Sequence, residues 1–218
     1  MQLTLTRESP TNSVYRDQDG RPIYRVETPP KSVGMTSTIT RFVSNSSSSH
    51  DESMTPARSD TESETDIHLM RLEEEGVAQI LWRTFSGTSF KFGERTVLAG
   101  TYLPRMGSLG WKRRHRTFTA SDGRSYKWRL GNNTSSVSHD FTRRRILGAE
   151  RTWQLTLNDE RKIAVARFHQ RSYGVVGKSH KASLEIYPQG EAIVDEILTT
   201  FVYVETRRKQ ENGEAMVI

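Results

Sequence analysis

The sequence predicts a mainly β protein: a mostly antiparallel sheet, closed or sandwiched, packed around a hydrophobic helix near the C-terminus. Three observations carry this expectation. Apolar residues recur with period two in short runs along most of the chain. Tight-turn dipeptides separate those runs. One segment near the C-terminus has apolar residues at helical spacing round nearly its whole circumference, the pattern of a buried helix.

In chain order, Leu3 and Leu5 alternate with Thr4 and Thr6. Ala78, Ile80 and Trp82 alternate with Gln79, Leu81 and Arg83, and Phe90 and Phe92 flank Lys91. Tyr126, Trp128 and Leu130 alternate with Lys127 and Arg129. Trp153, Leu155 and Leu157 alternate with Gln154 and Thr156, and Leu184 and Ile186 flank Glu185. Successive strand side chains point to opposite faces, so each run places one face on a core and the other in water. Asp19-Gly20, Asp122-Gly123 and Asn158-Asp159 mark hairpin turns. Residues 163–168 (IAVARF) differ. Ile163 and Val165 share one face, and Ala164, Ala166 and Phe168 share the other, so both faces are expected to be at least partly buried. The small alanines imply a close approach on their side.

The helix is expected over Glu191 to Arg207. Ile193, Val194, Ile197, Leu198, Phe201 and Val202 fall at helical spacing, and Tyr203 and Val204 fill the remaining circumference. Glu191, Asp195 and Glu196 stand at its start and Arg207, Arg208 and Lys209 at its end, an order that suits the helix dipole. Seven β-branched residues lower its helix propensity and favour a strand over Leu198–Glu205 as the competing assignment.

The chain has 218 residues, and 33% of them are apolar. This length fits one domain. Residues 44–66 hold eight Ser, three Thr and six acidic residues, with Met54 and Ala57 as the only apolar side chains. Such a stretch cannot offset chain entropy by burial, so it is expected to be a disordered insertion. The expected layout is thus first strands in 1–43, the acidic insertion in 44–66, the rest of the same domain in 67–209 and a flexible tail in 210–218. Residues 131–139 are a further expected loop. The absence of cysteine excludes disulfides, thiolate zinc sites and thiol nucleophiles. The apolar runs are too short for a membrane-spanning helix. The start, Met1-Gln2-Leu3, lacks a basic region and an apolar stretch, so no secretory signal is expected. A cytoplasmic protein is the expectation.

The stretches DQDGRPIYRV (17–26), ILWRTF with FKFG (80–85, 90–93), RTFTASDGRSYKWRL (116–130), RKIAVARFH (161–169) and LEIYP with IVDEILTTFVYVE (184–188, 193–205) resemble an uncharacterised intracellular domain family abundant in mushroom-forming fungi. Their layout also resembles the tubby-like proteins, which include plant LURP-one-related proteins and phospholipid scramblases. That resemblance implies an antiparallel β-barrel of many short strands around a hydrophobic C-terminal helix. The cysteine-rich stretch and calcium-site motif of scramblases have no counterpart here, so scrambling is not expected.

No catalytic constellation emerges, and neither enzymatic activity nor a cofactor is expected. Gly174–Ser179 (GVVGKS) has Ser172 where a P-loop needs glycine, and a strand rather than a helix follows. The six histidines lack metal-ligand spacing, and His169 reads as a hydrogen-bonding residue at a strand end. Ser59, Thr61 and Ser63, followed by acidic residues, match an acid-directed kinase pattern, against which a plain disordered insertion is the simpler reading.

Charge is more informative. Arg105 to Arg151 holds twelve Lys/Arg against three Asp/Glu. Lys112, Arg113, Arg114 and Arg116 form one cluster beside Trp111, and Arg143, Arg144 and Arg145 form another. Tryptophan favours the membrane–water interface, and basic clusters favour anionic headgroups. These eight residues are expected to lie in exposed loops and bind an anionic partner, an acidic phospholipid or phosphoinositide. The alternatives are nucleic acid or a protein partner on the same region, or a basic surface that is merely solvated or masked in cis by the acidic insertion. Phe118, Tyr126 and Trp128 are interleaved with the basic residues, but strand alternation makes them core before it makes them stacking platforms.

Overall fold

The structure is a computed structural model and describes residues 1–29, 35–44, 72–83, 87–106, 115–132, 151–171 and 179–213. Its first half comprises β1 (Gln2–Leu5), β2 (Ser13–Arg16), β3 (Pro22–Glu27), β4 (Thr36–Ser44), β5 (Leu72–Leu81), β6 (Ser89–Phe92), β7 (Arg95–Leu98) and the single turn α1 (Ala99–Tyr102). The second half comprises β8 (Arg105–Met106), β9 (His115–Thr119), β10 (Ser125–Asn132), β11 (Arg151–Leu157), β12 (Ala164–His169) and β13 (Ser183–Ile186). A 3₁₀ helix (Pro188–Ile193) and α2 (Val194–Glu211) follow.

The strands form one 13-stranded sheet in the order β7-β6-β5-β4-β3-β2-β1-β13-β12-β11-β10-β9-β8. Two meanders, β1–β7 and β8–β13, meet where β1 pairs antiparallel with β13 through Leu3 and Leu184. The expected turns are present. Gly20 and Gly123 take φ of 82° and 77°, the left-handed conformation that glycine adopts without steric cost. Inward side chains follow the sequence alternation, with Leu3, Leu5, Ile80, Phe90, Tyr126, Trp128, Leu155 and Leu184 fully buried. Phe92, Leu130 and Leu157, each ending its run, are only partly buried.

The expectation of a closed barrel is corrected. The end strands β7 and β8 share no ladder, so the sheet is open. The chain between them coils into α1, and Pro104, which lacks an amide proton, precedes a β8 of only two residues. Each hairpin extends by one further bond on its own side of the break. The Ala99 amide donates to the Thr88 carbonyl at 2.8 Å, and the Thr117 amide donates to the Pro104 carbonyl at 3.3 Å.

The helical reading of the C-terminal segment holds, with boundaries shifted. The 3₁₀ turn takes Pro188–Ile193, and α2 runs to Glu211, beyond the expected start of the tail. Every α2 residue from Ile197 to Thr206 is buried, nearly three turns without a solvent face. The β-branched threonines fit because their hydroxyls bond back along the helix. Thr199 donates to the Asp195 carbonyl at 2.7 Å, and Thr206 donates to the Val202 carbonyl at 2.6 Å. Both meanders supply cover. Trp82, just past β5, stacks on Tyr203 at 5.7 Å between ring centroids, while Phe168 of β12 meets Phe201 at 4.6 Å. Ala166 and Phe168 thus share the α2-facing side of β12, as their small and apolar character predicts. Val165 is buried as well, against Gly190 of the 3₁₀ turn.

Residues 45–66 of the acidic insertion, 133–139 of the expected loop and most of the glycine-containing segment 174–179 lie outside the described residues. Ser44 itself ends β4 and pairs with Leu72.

Two predictions follow from this packing. Leu198→Asp puts an unpaired carboxylate at a position with no exposure, at a cost of several kcal/mol, so the variant is expected to be unfolded by circular dichroism. A soluble, cooperatively melting Leu198→Asp protein would contradict the central placement of α2. At Gly190, a Cβ would stand 2.8 Å from Ile197 Cδ1 and 3.0 Å from the Val165 carbonyl oxygen. Gly190→Ala is therefore expected to lower stability by about 1–3 kcal/mol in urea denaturation.

Candidate anion-binding end

The strand register assigns each connection to one of two ends of the sheet. Connections 6–12, 28–35, 82–88, 99–104, 107–114, 133–150 and 170–182 leave at the end where α2 finishes. In sequence they carry twelve Lys/Arg and three Asp/Glu. Connections 17–21, 45–71, 93–94, 120–124, 158–163 and 187–193 leave at the end where α2 starts, and carry six Lys/Arg and thirteen Asp/Glu. The acidic insertion is therefore rooted, at Ser44 and Leu72, at the opposite end from both basic clusters.

Trp111, Lys112, Arg113, Arg114, Arg143, Arg144 and Arg145 lie outside the described residues, but the strands that flank them do not. Met106 pairs with His115, Arg116 pairs with Trp128, and Asn132 pairs with Arg151. The two basic segments therefore join neighbouring hairpins at the same end of the sheet. This adjacency is invisible in the sequence, where the clusters are far apart.

Arg116 departs from its expected place. It lies within β9, not in a loop, and is 6% exposed. The cause is alternation: Arg116 shares the inward face of β9 with Phe118. Its Nη1 donates to the Leu103 carbonyl at 3.0 Å, and its guanidinium carbon lies 5.0 Å from the Tyr203 ring centroid. Burial, and then the neighbouring Arg105 and Arg207, lower its pKa from the ordinary arginine value, while Tyr203 and Glu211 act in the opposite direction.

Other cations gather where α2 ends. Arg208 makes a two-pronged contact with the buried Glu205 at 2.7 and 2.8 Å, and Trp153 Nε1 donates to the same carboxylate at 3.0 Å. Arg171 pairs with Glu8 at 3.1 Å, and Lys209 Nζ donates to the Glu8 carbonyl at 3.0 Å. Glu8, Arg171, Glu205, Arg208 and Lys209, with Phe168, line a cavity of about 210 Å³. Arg105 pairs with Glu211. Arg207 bonds only neutral oxygens among the described residues, Thr88 Oγ1 at 3.0 Å and Gln210 Oε1 at 3.2 Å. The sequence marks Arg207, Arg208 and Lys209 as dipole partners of the helix. Their convergence with Arg105 and Arg116 depends on long-range pairing that no local signal carries.

At the opposite end the carboxylates of the first α2 turn are engaged. Asp195 accepts from Tyr24 at 2.6 Å and from Arg41 at 3.2 Å, and Glu196 accepts from the Ser121 amide and hydroxyl. The reading of His169 agrees with the structure: it ends β12 and contacts Glu185 at 3.0 Å. Among the described residues no acidic or histidine cluster has metal-site geometry, and no helix is long and apolar enough to cross a membrane.

Truncating Arg208 would leave the Glu205 carboxylate buried with, among the described residues, only Trp153 as hydrogen-bond partner. Arg208→Met is expected to cost about 3–5 kcal/mol in denaturant unfolding, and adding Glu205→Gln is expected to restore part of that loss. Strictly additive effects of the two changes would contradict the buried pair.

No curated protein and no solved structure matches the chain. A family model does match, over residues 8–210, nearly the whole of the described sheet and α2. The chain belongs to the family of unknown function DUF6593.

Proposed function

We propose that the chain is a non-enzymatic, tubby-like module whose curved sheet approximates a barrel without closing. In this reading the open sheet wraps α2 and docks its arginine-rich end on acidic phospholipid or phosphoinositide as a peripheral, cytoplasmic membrane protein. The observation that carries the reading is the sorting of charge by register: twelve cations against three carboxylates in the connections at one end. A basic residue near an anionic surface contributes about 1 kcal/mol, so a handful acting together gives usable affinity without a deep pocket. The acidic insertion is rooted at Ser44 and Leu72, so its anchor points are at the far end of the sheet from those of the basic connections. Nucleic-acid binding through base stacking finds less support, because Phe118, Tyr126 and Trp128 are at most 3% exposed and Trp128 is committed to Thr200.

The test is co-sedimentation with vesicles of phosphatidylcholine alone and with added phosphatidylserine or phosphoinositide, using wild type and Arg113→Glu/Arg114→Glu. Wild type is expected to bind only the anionic vesicles. Binding should be lost as salt rises from 0.1 M to 1 M, where the Debye length falls from about 10 Å to about 3 Å. The charge-reversed variant is expected to bind weakly at any salt. Equal binding by the two proteins, or none by wild type at low salt, would sink the proposal. A parallel shift assay with single-stranded nucleic acid, if positive while vesicles fail, would redirect the same surface to that partner.

A further inference from the structure

Three arginines meet around the last turns of α2, and carboxylates do not balance them. Arg116 and Arg207 lie 5.0 and 5.6 Å from the centroid of the same Tyr203 ring, and neither has a carboxylate within 4 Å among the described residues. Their hydrogen bonds go to neutral oxygens: the Leu103 carbonyl, Thr88 Oγ1 and Gln210 Oε1. Nearby Arg208 and Arg171 do have acidic partners, Glu205 and Glu8. Arg105, across the β8–β9 ladder from Arg116, is the third. Its partner is Glu211, the last residue of α2.

Glu211 is a poorly held occupant. Its side chain is 48% exposed, and an exposed ion pair adds little stability. A carboxylate at a helix C-terminus also faces the negative end of the helix dipole, where a cation would be favoured. The space between the arginines and Trp153 holds about one water molecule, roughly 10 Å³, so a ligand group must replace something already present. Planar guanidiniums present paired N–H groups that match phosphate oxygens better than a point charge does.

We infer that Arg105, Arg116 and Arg207 form a phosphate-group site in which the Glu211 carboxylate holds Arg105 at rest and is displaced when a phosphate arrives. The inference deepens the membrane-docking proposal by assigning a specific headgroup contact to the described part of the basic end. The chemistry is a phosphate monoester or dianion, carried on a lipid headgroup or free in solution. The site supplies selectivity for phosphate, while the surrounding connections supply long-range attraction.

The experiment titrates inorganic phosphate, against chloride at matched ionic strength, into wild type, Glu211→Gln, Arg207→Gln and Arg105→Gln, with thermal melts confirming that each is folded. Arginine side-chain NMR signals report occupancy. A vesicle arm compares phosphatidic acid with phosphatidylcholine for the same proteins. Removal of Glu211 is expected to tighten phosphate binding about three- to fivefold, the scale of a surface ion pair. Arg207→Gln is expected to abolish saturable binding, and Arg105→Gln, at an exposed position, is expected to weaken it even if Arg207→Gln folds poorly. Unchanged affinity in Glu211→Gln, or wild-type affinity in both arginine variants, overturns the site. Vesicle binding that is lost in Arg113→Glu/Arg114→Glu yet indifferent to all three changes also overturns it, while leaving the docking proposal standing. Phosphate binding with the expected pattern but no vesicle binding upholds the site for free phosphate and removes the membrane reading.

Discussion

A helix with no solvent face must be covered on every side, and that requirement organises this protein. From Ile197 to Thr206 each α2 side chain is buried, so the sheet has to bend around the helix instead of lying flat beside it. Neither meander covers it alone. Trp82 and Phe90 reach Tyr203 from one side of the β1–β13 seam, and Trp128 and Phe168 reach Phe201 from the other. Burial of each such side chain contributes about 1.5–3 kcal/mol, and this contribution exists only when both meanders are in place. Cooperative folding of the two meanders with α2 is the consequence.

Burial also dictates where polar atoms go. Trp128 Nε1 finds Thr200 Oγ1, and Trp153 Nε1 finds Glu205, which Arg208 then neutralises. Trp82 Nε1 donates to Ser37 Oγ at 2.7 Å. A buried donor left without a partner costs about 1–3 kcal/mol, so the Trp128–Thr200 and Trp153–Glu205 bonds restrict how α2 can be rotated or slid within the sheet. The fixed register carries its charged ends to fixed places: Asp195 and Glu196 to one end of the sheet, Arg207 and Arg208 to the other.

The direction of α2 thus aligns with the sorting of the connections. The basic helix terminus emerges at the end where basic connections leave, and the acidic first turn lies at the end where the chain leaves β4 for the acidic insertion. Meander topology makes this possible. In a succession of hairpins every second connection returns to the same end, so alternate connections share a surface however distant they are in sequence. Residues 112–114 and 143–145 belong to two such connections.

Much of this was legible in the sequence, and the exceptions have physical causes. Period-two alternation located the inward residues of β1, β10, β11 and β13, because a sheet with one buried face enforces it. Phe92, Leu130 and Leu157 followed the same pattern but end their runs, where cover thins. The basic character of Arg105–Arg151 was plain, yet Arg116 was misplaced, because a composition cluster does not say that a strand begins at His115 and turns the next residue inward. For Leu198–Glu205 β-branching favoured a strand, but the apolar spacing predicted the helix that forms, because a segment apolar on all sides fits a helix enclosed by a curved sheet. The sequence by itself therefore determined the strands, the turns and an apolar helix, since these depend on neighbours within a few residues. The tertiary structure alone decided the open edge between β7 and β8, the seam between β1 and β13, and the meeting of Arg105, Arg116 and Arg207, since each depends on contacts between segments that local pattern does not connect.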